Sequence, residues 1–140
     1  MIFHMQMVSE IFSDIVKKYG LKEKTIRENV KAFVSSNYVL IIVIGHFEVD
    51  VWYSTKDKLP VIYDCSNFFA EAFDDSDRDG LEKAEDAKTI IKNELTVISK
   101  GLVSKWNNVL EGDTQWIEIY KKSLWYSKFS QPDIDSTIFD

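Results

Sequence analysis

Along the first twenty residues the apolar side chains recur at helical spacing. Val8, Ile11, Phe12, Ile15, Val16 and Tyr19 share one face, and Asp14, Lys17 and Lys18 take the other. The stripe predicts a core helix, with Ser9 placed to cap its start and Gly20 to end it in a left-handed turn that lets Leu21 fold back. Between residues 30 and 63 the period falls to two. Val30–Ser36, Tyr38–Ile44 and Phe47–Tyr53 are rich in β-branched and aromatic residues and read as strands, with Gly45-His46 as the hairpin turn between the last two. In the third strand Phe47, Val49, Val51 and Tyr53 alternate with Glu48, Asp50 and Trp52, so one face packs inward and the other meets solvent or a partner. Leu59–Tyr63 reads as a fourth strand. Pro60 cannot donate to a ladder, which puts that strand at an edge or starts it after the proline.

Helical spacing returns after Ser66, which is placed to cap a short helix through Phe68, Phe69 and Phe73. Ala84, Ala87, Ile91, Leu95, Ile98, Leu102, Trp106 and Val109 then mark one face of a long helix, with Gly101 as a point of kink or break. Gly112 fits a C-cap, and Asp113 or Thr114 an N-cap of a last helix carrying Trp116, Ile119 and Tyr120. Few apolar residues follow Ser130, so residues 130–140 are expected to be a flexible tail on a single domain spanning 1–129. The expected fold is α+β. An antiparallel sheet of three or four strands is packed on one face by the N-terminal helix and the long later helix, with a further short helix, and the other face is left for a partner.

Composition narrows the function classes. A chain of 140 residues with 45% apolar and 14% aromatic content can build one compact core. A net charge of −6 argues against a nucleic-acid partner, which needs a surplus of Lys and Arg on one face. The longest apolar run, Tyr38–Ile44, is far short of the roughly twenty residues of a membrane helix, so no membrane partner is expected. Met1–Phe12 lacks the basic start and cleavage site of a secretory signal. With a single cysteine, this points to a reducing cytoplasm.

Three candidate chemistries stand out. Residues 75–86 approach an EF-hand calcium loop, with Asp75, Asp77 and Asp79 at positions one, three and five, Gly80 at six and Asp86 at twelve. Asp86 replaces the longer Glu that supplies two oxygens, Glu82 stands where an apolar residue is usual, and no second loop exists, so calcium binding is the lesser alternative. The segment Asp74–Asp86 holds seven acids and two bases, a net −5, which also suits electrostatic attraction of a basic partner. Neutralising Asp75, Asp77 and Asp79 together is expected to slow such association and leave stability unchanged. Glu48, Asp50 and Trp52 form a mixed acidic and aromatic stripe of the kind interfaces use, with Trp52 as its anchor. Nucleophilic catalysis has little footing: Cys65 has only His4 and His46 as candidate bases, and no glycine-rich phosphate loop is present. No catalytic residue and no cofactor is expected.

The order of features resembles a known group. Phe12-x-x-Ile15-x-x-x-Tyr19-Gly20-Leu21 precedes a meander carrying Phe47-x-Val49-x-Val51-x-Tyr53, and Val109-Leu110-Glu111-Gly112-Asp113 is followed by Trp116. Together these are similar to small uncharacterised bacterial α+β proteins resembling immunity proteins of toxin–immunity systems. The resemblance implies a cytoplasmic inhibitor that occludes a toxin domain, without cofactor or catalysis. It carries over no toxin-contacting motif, because such surfaces vary from pair to pair.

Overall fold

The computed structural model describes residues 5–140 and is α+β. Six strands form one antiparallel sheet in the order β1 (Lys22–Arg27), β2 (Val30–Val34), β3 (Tyr38–Ile44), β4 (Val49–Thr55), β5 (Val61–Asp64) and β6 (Lys128–Ser130). The sequence pattern points to three or four strands, and the two it omits are the two edges. Hydrophobic alternation marks a strand only where a face is buried, and β1 is largely exposed and charged, which also guards an edge against foreign pairing. β6 is three residues long and lies far from the other strands in sequence.

The central strands follow from their composition. β3 is apolar on both faces and pairs along its full length with β4, from Tyr38↔Thr55 to Ile44↔Val49. The hairpin between them turns one residue later than expected. The Gly45 N–H donates to the Glu48 carbonyl at 2.8 Å, leaving His46 and Phe47 as the turn residues. β5 begins after Pro60 and meets β4 only at Trp52 and Tyr53, so the start of β4 has no strand beyond it.

One sheet face is covered by helices. The N-terminal stripe forms two short helices, α1 (Met5–Ile11) and α2 (Ser13–Tyr19), joined at Phe12, and ends at a left-handed Gly20 whose successor Leu21 donates to the Val16 carbonyl. Ser9 lies inside α1 rather than at a cap, and its hydroxyl serves Glu23 and Lys31. After β5 come α3 (Ser66–Ala70), α4 (Ala87–Lys105), α5 (Asn107–Leu110) and α6 (Trp116–Lys121). The position before α3 is Cys65. Ser66 is its first residue, and its hydroxyl instead donates to Asp64 and accepts from the Val51 N–H. Phe68, Phe69, Trp106, Trp116 and Tyr120 interlock beneath these helices, with ring centroids 5.2–6.1 Å apart.

Gly101 does not break α4, which runs through it. The missing side chain makes room for Phe73, since a Cβ there would stand 2.2 Å from the ring. Alanine in a helix is favoured over glycine by about 1 kcal/mol, whereas overpacking a filled core costs about 1–3 kcal/mol. The ring is itself buried, so the added methyl must displace it from its packing. Gly101→Ala is therefore expected to lower stability by about 1 kcal/mol net, read as a lower urea midpoint with unchanged slope.

The second sheet face holds a smaller core of its own. Val30, Ala32, Val34, Val39, Ile41 and Ile62 point this way and are buried against Ile134 and Ile138. Residues 130–140, expected to be flexible, run across this face as a strap ending in a 3-10 helix, Ser136–Phe139. Arg27 binds Asp133 at 2.5 Å and Gln131 at 3.2 Å, and the Lys24 ammonium donates to the Ile138 and Asp140 carbonyls. The face expected to be open to a partner is thus covered by the chain's own end.

Candidate functional site: an acidic cleft beside the sheet edge

Where β5 stops short of the start of β4, the sheet edge opens into a cleft of about 550 Å³. The turn before β4 supplies Phe47 and Glu48, and β4 itself supplies Asp50. Asp64 and Asn67 come from the end of β5 and from α3. Asn93 and Glu94 on α4 form the opposite wall, and Arg78 and Leu81 the rim. Four acidic residues, Glu48, Asp50, Asp64 and Glu94, thus line the cleft with one arginine.

Local structure fixes the floor. The Asp64 carboxylate accepts from the Ser66 N–H at 3.1 Å and its hydroxyl at 2.7 Å, and its backbone carbonyl accepts from the Tyr120 hydroxyl at 2.7 Å. Asp50 is half-buried. Its loss of water, then the charges of Asp64 and Glu48, push its carboxyl above the ordinary range, against the opposing Ser66 hydroxyl. A cation entering the cleft would relieve this.

The candidate residues separate into three groups. Glu48 and Asp50 line the cleft. Trp52 does not: it lies half-buried on the strap side of the sheet, with Phe129 against its ring at 4.8 Å, and is no exposed anchor. The acidic 74–86 loop forms a turn of its own rather than a cation cage. Asp77 is 2% exposed, and its carboxylate accepts from the Asp74 N–H at 3.0 Å and the Ser104 hydroxyl at 2.6 Å, with the Lys105 ammonium at 3.2 Å. Asp86 caps α4 by accepting from the Thr89 N–H at 2.8 Å. Asp75 and Asp79 are exposed, and the Asp79 carbonyl accepts from Lys100. Among the described residues no three His, Cys, Asp or Glu side chains are grouped to hold a metal ion. The EF-hand spacing therefore does not produce converging ligands, because each turn of the loop is claimed by α4.

Asp64 and Glu94 are the cleft residues that the sequence pattern does not single out. They share no motif with Glu48 and Asp50, and only the packing of α3 and α4 against the sheet brings the four together. Cys65 is fully buried, which pushes its thiol well up. His46 sits in the exposed turn against Phe47, and His4 lies outside the described residues.

Comparison with family models, curated proteins and solved structures gives no match to this chain. No helix among the described residues is long and apolar enough to cross a membrane.

Proposed function

We propose that the chain is a non-catalytic protein-binding module of the immunity type, acting in the cytoplasm, which occludes a basic toxin domain. Its acidic cleft receives a cationic side chain of that domain. The observation supporting this reading is the cleft's charge: four carboxylates against one arginine, in a concavity of the size that ligand pockets have. Complementary charge of this kind speeds encounter and selects orientation. The calcium alternative has less support, since Asp77 and Asp86 are already engaged within the fold. The test is protection. Cells expressing the product of the gene beside this one should grow when this chain is co-expressed, and the two proteins should form a one-to-one complex by light scattering. Absence of both the growth and the complex would overturn the reading.

Asp50 gives the proposal a pH signature. Its ionised form holds the cation, so affinity should fall as pH drops through a value above the ordinary carboxylate range. The sign for stability is opposite. A carboxyl raised in the folded state contributes stability below its unfolded pKa, and that contribution is lost as pH rises through the folded value. Asp50→Asn is therefore expected to melt above the wild type at pH 7 and level with it below about pH 4, while weakening the complex at pH 7.

A further inference from the structure

We propose that the turn after α6 is a contact for an anionic membrane surface, independent of the acidic cleft. The stretch from Lys121 to Lys128 alternates cations and apolar groups: two lysines, Ser123, then Leu124, Trp125 and Tyr126, then Ser127 and a third lysine. Leu124 is 98% exposed and Ile119, on the last turns of α6, is 68% exposed, while Trp125 and Tyr126 are 41% and 37% exposed. Water is an unfavourable place for a full leucine side chain, and single exposed apolar residues are common. Four within eight residues are not scattered in that way.

The turn is held in shape with its tip outward. The Trp125 indole donates to Glu71 at 2.7 Å, the Tyr126 ring sits edge-on to Tyr120 at 5.4 Å, and the Ser127 N–H donates to the Tyr120 hydroxyl at 2.9 Å. Little order remains to be gained when such a tip enters an interface. Residues 115–130 carry three lysines against one glutamate, a net +2 in a chain of net −6. Lys121 stands 4.0 Å from Glu118, and Lys122 and Lys128 are exposed.

Leucine to penetrate, tryptophan and tyrosine for the headgroup level and lysine for anionic lipid is the composition of an interfacial anchor. A convex tip needs no matching pocket in a lipid surface, whereas a protein hot spot does. Among the described residues no helix is long and apolar enough to cross a membrane, so the contact proposed is with the surface alone.

The experiment is partition onto 100-nm vesicles, by co-sedimentation and Trp emission, comparing neutral phosphatidylcholine with a mixture containing about 30% phosphatidylglycerol, at low salt. The expected result is binding to the anionic vesicles with a blue shift, and weak binding to the neutral ones. Leu124→Asp should lower the anionic partition at least about tenfold, a change of about 1.4 kcal/mol, with an unchanged melting temperature because Leu124 packs on nothing. Lys122→Gln with Lys128→Gln should weaken binding and its salt dependence. Three results overturn the proposal: no binding to anionic vesicles, equal binding by Leu124→Asp, or loss by Leu124→Asp of a protein complex but not of vesicle binding. The last would make the tip a protein-docking site. The cleft variant Asp50→Asn should leave vesicle binding unaltered, so failure here is distinct from failure of the inhibitor reading.

Discussion

Deleting residues 131–140 is expected to lower the melting temperature by more than about 10 °C and to leave a protein that self-associates. Ile134 and Ile138 are 1% and 8% exposed, and fully burying such side chains is worth about 1.5–3 kcal/mol each. Their removal also returns Val39, Ile41 and Ile62 to water. Lost together, these contacts approach the whole stability of a typical domain, about 5–15 kcal/mol. The exposed Arg27–Asp133 ion pair adds little, since such pairs contribute about 0–1 kcal/mol. If the shortened chain does not fold, Ile134→Ala and Ile138→Ala in the full-length protein carry the test, at about 2–5 kcal/mol each. Calorimetry showing no change in either would mean the strap is not part of the folded core.

The second large effect concerns the acidic loop. Asp77→Ala is expected to destabilise by about 3 kcal/mol, because hydrogen bonds to a charged group contribute about 1.5–3 kcal/mol and the Ser104 hydroxyl and Asp74 N–H would lose their acceptor. Asp75→Ala and Asp79→Ala, at exposed positions, should change stability by less than about 0.5 kcal/mol. Burial works against the Asp77 charge, but Ser104, the Asp74 N–H and Lys105 outweigh it and hold its carboxyl below the ordinary range. Its contribution is then present above the unfolded pKa of about 3.9 and lost as pH falls through the lower folded value. The gap between wild type and Asp77→Ala should be flat from pH 7 to about 5 and close in stronger acid, measured by urea unfolding across pH. A gap that widens in acid would contradict this assignment. The three aspartates therefore do not form one surface unit whose neutralisation leaves stability untouched.

How much of this was legible in the sequence follows from where the information sits. β2, β3 and β4 announce themselves because each buries at least one face, and a buried face forces apolar residues into a period of two. Gly20 and Gly112 are legible as turn points because their left-handed backbone suits glycine. β1 is not legible, because an edge strand with charged side chains shows no apolar row. The strap is not legible for a different reason: Ile134 and Ile138 are sparse among polar residues, and what they cover lies about a hundred positions upstream. The cleft was half legible. Glu48 and Asp50 were visible as a pair on one strand, but Asp64 and Glu94 join them only through tertiary packing. Alternation says which side of the sheet Trp52 takes, and not that Phe129 comes to lie against its ring there.

The strand order has a consequence for how the chain assembles. From β1 to β5 every strand pairs with its sequence neighbour, so those ladders close across short turns. β5 and β6 also lie side by side, yet residues 65–127, the whole of α3 to α6, intervene between them. Closing that long loop costs more entropy than closing a hairpin and is slower. The five-strand meander therefore forms early, and the pairing of Val61–Tyr63 with Lys128–Ser130 late. During translation the sheet's second apolar face stays open until residues 131–140 have left the ribosome. Its vulnerability to aggregation is thus governed by how quickly residues 131–140 find their place on that face.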